Sequence, residues 1–191
     1  MLKSQFQKNL IEAGCDEVGR GCIAGPVIAA AVIMPPDYKN NNIMDSKKLS
    51  PKKREIVEKD IIKNARSWAI ASVSNNTIDK INILNASILA MHRALDILDI
   101  KPEFILVDGN QFKQYKKLRH ECVIKGDNKY QNIAAASILA KNYRDKLMYD
   151  LSSSFDKYSW ETNFGYPTKK HRESIKEYGV TEYHRKSFKL L

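Results

Sequence analysis

The chain has 191 residues, 43% of them hydrophobic and 28% charged, which is enough apolar material to bury a core in one or at most two compact domains. Its 32 Lys and Arg stand against 22 Asp and Glu, a formal charge of +10 that favours polyanionic partners through counterion release, although ribosome-associated and membrane-surface proteins share such a balance. The three cysteines, Cys15, Cys22 and Cys122, are odd in number and form no C-x-x-C pair, so they indicate neither a disulfide framework nor a zinc site and fit a reducing compartment.

In chain order, Met1 to Glu12 is polar and mixed in charge, without the apolar centre of a secretory leader. No later apolar run reaches membrane-spanning length, so a cytoplasmic protein with no membrane contact is expected. Ile11 to Val18 and Ile23 to Met34 read as two strands joined by a glycine-rich turn. The second is almost entirely Ala, Val and Ile, the composition of a strand buried on both faces. Pro35-Pro36-Asp37 and Asn40-Asn41-Asn42 mark a loop. Ser50-Pro51 has the form of an N-cap followed by proline at the first helical position, which predicts a charged helix to about Lys63. Trp68 to Val73 reads as a third strand. Ile83, Leu84, Ile88, Met91, Leu95 and Leu98 recur at helical spacing and predict a helix over Asn82 to Leu98 with one buried face. Phe104 to Val107 is a short buried strand ending on Asp108, and Glu121 to Ile124 is another. Lys125-Gly126-Asp127-Asn128 then precedes an alanine-rich helix from Gln131 to Leu151. The last forty residues turn aromatic and basic, carry Gly and Pro, and show no strand pattern. They read as a helical extension, 151–191, following a body of 1–150.

The densest chemistry lies in Cys15-Asp16-Glu17-Val18-Gly19-Arg20-Gly21, where two carboxylates stand before a Gly-Arg-Gly turn in a basic protein. Adjacent acids on a strand point to opposite faces, so Asp16 and Glu17 serve one metal cluster only if the chain bends after them. Gly19 and Gly21 can supply the bend and bring bare backbone close to a ligand. Asp108 closes an apolar strand, the position at which α/β folds place functional groups, and Asp127 precedes a long helix. Taken singly, each acid could be a cap or turn residue. Four acids at the ends of separate elements point instead to metal-dependent chemistry on a phosphate backbone.

Asp16-Glu17-Val18-Gly19-Arg20-Gly21, Asp45-Ser46-Lys47-Lys48-Leu49-Ser50, Val107-Asp108-Gly109, Lys125-Gly126-Asp127, Ala134-Ala135-Ala136-Ser137-Ile138-Leu139-Ala140-Lys141, Gly165-Tyr166-Pro167-Thr168 and His184-Arg185-Lys186-Ser187-Phe188 together resemble bacterial ribonuclease HII. The blocks fall in the family's order and span nearly the whole chain. The first block and the alanine-serine helix are specific, whereas Val-Asp-Gly or Lys-Gly-Asp alone would occur by chance. The resemblance implies an α/β, ribonuclease H-like fold, a mixed central sheet flanked by helices with a small helical C-terminal extension that helps bind substrate. The coarse reading of strands and helices agrees, and it could set Asp16 and Asp108 on neighbouring strands.

The resemblance further implies an endoribonuclease that hydrolyses the RNA strand of RNA–DNA hybrids. It also implies incision of duplex DNA 5′ to an embedded ribonucleotide, leaving 3′-hydroxyl and 5′-phosphate ends, in the service of ribonucleotide removal. Asp16, Glu17, Asp108 and Asp127 are the implied catalytic and metal-binding residues. Mg²⁺ or Mn²⁺ suits their oxygens, in a two-metal arrangement with ions about 4 Å apart. Gly19, Arg20 and Gly21 suit contact with a ribose 2′-hydroxyl, and Tyr166 corresponds to the family's tyrosine beside the sugar of the following nucleotide. Lys47 and Lys48, ahead of a helix start, can hold a phosphate. Seven Lys and Arg against three Asp and Glu in both Lys47 to Lys63 and Lys169 to Leu191 would let either stretch follow a duplex backbone. A monomer is expected. The terminal Phe188-Lys189-Leu190-Leu191 suggests a sliding-clamp peptide but is too short to support that contact.

Two residues near these blocks carry weaker signals. His171 could touch substrate or be a surface or helix-capping histidine, and Asp145 fits a helical ion pair better than a fifth catalytic acid. A related acidic-cluster nuclease would share the metals without the ribose dependence, which the Gly-Arg-Gly block argues against. A non-catalytic, basic hybrid-binding protein would need the four acids to fail to converge.

Overall fold

In the computed structural model, which describes residues 2–191, Val27–Ile33 is a strand (β2) buried at every position, as its run of Val, Ile and Ala requires. It pairs antiparallel with β1 (Glu12–Val18) on one side and with β3 (Ser67–Val73) on the other. Beyond β1 lie β4 (Phe104–Asp108) and β5 (Arg119–Val123), both parallel to it, giving a five-stranded mixed sheet in the order β3-β2-β1-β4-β5. Met1, the first residue of the stretch read for a leader, lies outside the described residues.

Alternation along the strands divides the apolar residues between two layers. Ala13, Cys15, Ala29, Ala31, Ile105 and Val107 face α3 (Ile83–Ile97), whose stripe of Ile88, Met91 and Leu95 covers them. Ile28, Ala30 and Val32 face α1 (Pro51–Asn64) and α4 (Gln131–Ser152) on the opposite side. α1 contributes only Val57 and Ile61 as buried apolar side chains, each worth roughly 1.5–3 kcal/mol on burial. Its start is fixed by Ser50, whose side chain accepts the Lys53 N–H, with Pro51 at the first helical position. α4 packs unusually close to β1: a Cβ at Gly14 would stand 2.3 Å from the Asn132 carbonyl carbon, so only glycine fits.

Three features differ from the sequence expectation. The second strand begins at Val27, not Ile23, because Pro26 has no N–H to give a ladder and the Ile23 and Ala24 N–H groups donate instead to the Gly165 carbonyl (2.9 and 3.3 Å). A short helix, α2 (Asn75–Ile81), was not expected from a polar stretch; the Ser74 side chain caps it by accepting the Thr77 N–H. Asn82, at φ +64°, then separates α2 from α3 and caps the latter. The C-terminal stretch is helical as expected, with α5 (Trp160–Asn163) and α6 (Lys169–Tyr178). Its Tyr158, Trp160 and Ile175 pack on Ile23, Ala24 and Met148, so the extension rests against the segment that follows β1.

Candidate active site

Parallel pairing of β1 with β4 sets Cys15 beside Val107, and the next residues along are Asp16 and Asp108. Both are one step out of phase with the residues facing α3, so their carboxylates leave the sheet on the α4 side, at the carboxyl ends of two adjacent strands. Asp127 lies in a single turn of 3₁₀ helix, Gly126–Asn128, just ahead of α4. The Gly126 N–H of that turn donates to Asp108 Oδ1 (2.6 Å), which ties the end of β4 to the start of α4. Glu17 follows Asp16 at the last regular position but one of β1. The chain then bends at Gly19, whose φ of +95° suits glycine and whose absent Cβ would lie 2.3 Å from Arg144 Nε. All four acids line one open cleft of about 450 Å³, together with Gly19, Arg20, Gly21, Lys47 and Tyr166.

Asp16, Glu17 and Asp108 hold their protons more tightly than ordinary carboxylates. Burial pushes Asp16 well up, and the charges of Glu17 and Asp108 push it further, against hydrogen bonds from Ser137 and the Glu17 N–H. Burial also raises Glu17, although Arg20 bridges it (3.1 Å) and opposes the shift. Asp108 is raised by burial and by Asp127, with the Gly126 N–H pulling the other way. Glu12, equally buried, is a different case: its carboxylate accepts from the Phe6 and Gln7 N–H groups (2.9 and 3.0 Å) and from Asn132, which accounts for its place in the fold. The cleft acids are instead like charges crowded out of water, an arrangement that a divalent cation would relieve. Their donor set is all oxygen and suits Mg²⁺ or Mn²⁺. Among the described residues, no three of the His, Cys, Asp and Glu side chains are gathered closely enough to hold an ion alone. Hard ions of this kind usually keep several waters and take substrate phosphate oxygens beside one or two carboxylates.

The remaining residues expected at the site divide. Tyr166 reaches the cleft from a loop held by its own N–H on the Asn163 carbonyl (2.8 Å), and burial, with the Cys22 thiol beside it, raises its hydroxyl. Lys47 lines the cleft from a 3₁₀ turn, Ser46–Lys48, which Asp45 caps through the Lys47 N–H (3.0 Å). Lys48 does not line it: its ammonium bonds Asn128 in an adjoining cleft shared with Asp45 and Asp127. His171 is neither a surface residue nor in the cleft; it is fully buried behind Tyr166, and its Nδ1 bonds the Tyr166 carbonyl (2.8 Å). Asp145 takes ion pairs from Arg54 (2.9 Å) and, one helical turn earlier, Lys141 (2.6 Å), as its place on α4 suggested.

Three cleft residues had no assigned role in the sequence. Ser137 and Lys141 project from α4 into the cleft, and Ser46 bonds Ser137 through their hydroxyls (3.0 Å). Their signal was available, since Ser137 and Lys141 stand four apart, on one face, within the alanine-serine block of a helix beside the acids.

Comparison with known proteins identifies the family and the fold. A family model described as Ribonuclease HII matches residues 13–191. A ribonuclease HII of Christiangramia forsetii is 57% identical over 186 residues, which is 97% of this chain and 94% of that protein. Among solved structures, the ribonuclease H2 of Pyrococcus horikoshii OT3 superposes with a TM-score of 0.80 at 25% identity, covering 94% of each chain. The RNase HII solved in a PCNA:RNase HII complex from Archaeoglobus fulgidus superposes with a TM-score of 0.79 at 28% identity, covering 94% of this chain and 96% of that one.

Proposed function

The chain belongs to the ribonuclease HII family, a divalent-metal-dependent hydrolase of ribonuclease H type 2, and on that footing we propose that Asp16, Glu17, Asp108 and Asp127 form its catalytic metal centre. The observation that carries this reading is the opening of all four acids, from three separate elements, into one cleft beside Gly19-Arg20-Gly21 and Tyr166.

The proposed substrate is an RNA–DNA hybrid or a DNA duplex carrying a single ribonucleotide, cut on the 5′ side of that ribonucleotide. A water oxygen bonds to phosphorus as the bond from phosphorus to the 3′-oxygen breaks. The 3′-oxygen takes a proton to become a hydroxyl, and the phosphate stays on the 5′ end of the ribonucleotide. A pair of Mg²⁺ or Mn²⁺ ions held by the four carboxylates would supply an activated water and stabilise the departing oxygen. The protein's own part is to orient. Asp16 and Asp108 are fixed by the sheet register and by backbone N–H donors. The Glu17–Arg20 pair holds the turn against β1. The backbone of Gly19, Arg20 and Gly21 is free of Cβ at two of three positions and suits close approach to a 2′-hydroxyl. Tyr166 offers a flat, half-exposed ring for the next sugar. Lys47 and, from the neighbouring cleft, Lys48 offer cations to the backbone phosphates. The helical extension, 151–191, brings Tyr166 and further basic residues to the same duplex. In the cell such an activity would open ribonucleotide-containing DNA for repair.

Asp108→Asn tests the assignment, because it keeps the Oδ1 acceptor for Gly126 and removes only charge and one metal-ligating oxygen. Single-turnover cleavage is expected to fall at least about 100-fold with duplex binding little changed. Wild-type cleavage by this variant would overturn the assignment.

A further inference from the structure

The two elements assigned to the sugar lie far apart in the sequence, yet both are gripped by consecutive residues of the C-terminal segment. Arg185 is fully buried, and its guanidinium bonds backbone carbonyls: Nε donates to Gly25 (2.9 Å) and Nη1 to Arg20 (3.1 Å). It thus holds both ends of the stretch between Gly-Arg-Gly and β2, with its Cζ 5.2 Å from the Phe188 ring centre. Burying a guanidinium without a bonded carboxylate is costly, and its two carbonyl contacts say where that cost is directed.

His184, also fully buried, works in the other direction. The Thr181 N–H donates to His184 Nδ1 (2.9 Å), so the His184 proton lies on Nε2, 3.2 Å from His171 Nε2. That His171 nitrogen also accepts from Trp160 Nε1 (3.0 Å), which leaves the His171 proton on Nδ1, donating to the Tyr166 carbonyl (2.8 Å). The Trp160 and His184 N–H groups share the single lone pair of His171 Nε2, and the relay ends on the backbone of the residue that reaches the cleft. Neither the Arg20 nor the Tyr166 carbonyl belongs to the sheet ladder that fixes the acids, so these bonds, with the Ile23 and Ala24 N–H bonds to Gly165 and the Arg144 bonds to the Ala24 and Phe164 carbonyls, set the position of the cleft's opposite rim.

We propose that Arg185, His184 and His171 are positioning residues for ribose recognition, which fix the gap between the Gly19-Arg20-Gly21 turn and Tyr166 so that both meet one ribonucleotide. The inference rests on the proposed sugar-reading role of that turn and of Tyr166. Selecting one 2′-hydroxyl needs its readers held to about 0.5 Å, and a displacement of about 1 Å can cost on the order of 100-fold in rate. Binding of phosphates by Lys47 and Lys48 needs no such precision and does not pass through this network.

The test measures kcat and KM at 25 °C on a duplex with one ribonucleotide, beside affinity for an all-DNA duplex and the melting midpoint of each variant. Arg185→Lys keeps the charge but cannot reach both carbonyls. His171→Ala removes the donor to Tyr166, and His171→Asn restores an amide N–H near the position of Nδ1–H. Folded Arg185→Lys and His171→Ala are expected to lose about 10- to 100-fold in kcat with all-DNA affinity within about twofold, and His171→Asn to recover part of the loss. Wild-type kcat in the folded variants, or a loss of kcat that tracks all-DNA affinity and is not eased by His171→Asn, would overturn the proposal. Should Arg185→Lys fail to fold, the His171 pair decides alone. Tyr166→Ala in the same panel separates the two levels. Its retention of wild-type incision would sink the sugar reading itself, whereas its loss of incision beside unaffected positioning variants would sink only this inference.

Discussion

At the scale of single residues, the cleft acids are held in a form that costs stability. Asp16, Glu17 and Asp108 all have proton affinities raised by burial, and the neighbouring charges of Asp16 and Asp108 add to it. A carboxylate whose folded pKa exceeds its unfolded one binds more protons when folded, so its contribution falls as pH rises above the usual carboxylate range. At neutral pH without metal the ionised cluster therefore opposes folding. Asp16→Asn, which can still accept the Glu17 N–H, is expected to raise the melting midpoint of the chelator-treated protein at pH 7.5, each kcal/mol being worth about 2–4 °C in a chain of this size. Mg²⁺ or Mn²⁺ should raise the wild-type midpoint more than that of the variant. Differential scanning calorimetry with and without metal checks both, and an Asp16→Asn midpoint below wild type in chelator would contradict the electrostatic account.

At the scale of elements, the regular pieces were legible where a local pattern determines them. The Ser50-Pro51 start, the apolar stripe of α3 and the saturated apolar run of β2 each carry their structure within a few residues. The late start of β2 was hidden because Ile23 and Ala24 look like strand yet give their N–H groups to Gly165, a partner that no local pattern reveals. His171 was misjudged for the same reason: a histidine in a run of Lys and Arg looks exposed, but Trp160 and His184 arrive from separate stretches to bury it. The same burial makes the C-terminal element sensitive to acid. Burial foremost, with His171 beside it, pushes His184 down from 6.5 to about 4. The unfolded chain then binds a proton over that interval that the folded chain refuses, so stability is full above about pH 6.5 and is lost as pH falls towards 4. Urea unfolding should show the stability gap between wild type and His184→Phe narrowing by up to about 3 kcal/mol from pH 7 to 4. A gap that stays constant with pH would show that His184 is not buried in its neutral form.

At the scale of the whole molecule, a mixed sheet places three acids at the ends of β1 and β4, a turn before α4 brings the fourth, and the C-terminal helices complete the cleft with Tyr166. The candidate catalytic set was legible because each acid ends or precedes an element with a clear pattern. The network behind Tyr166 and Arg20 was not, since Arg185 reaches Arg20 across 165 residues of sequence and the His171 bond to the Tyr166 carbonyl depends on a burial that a run of Lys and Arg does not suggest. The most direct measurement is cleavage of an end-labelled DNA duplex containing one ribonucleotide, beside an all-DNA duplex, with Mg²⁺, with Mn²⁺ and with chelator. The expected result is a single metal-dependent incision 5′ to the ribonucleotide, leaving a 3′-hydroxyl and a 5′-phosphate, with the all-DNA duplex intact. Cutting of both duplexes, cutting in chelator, or binding without cutting under any of these conditions would contradict the account.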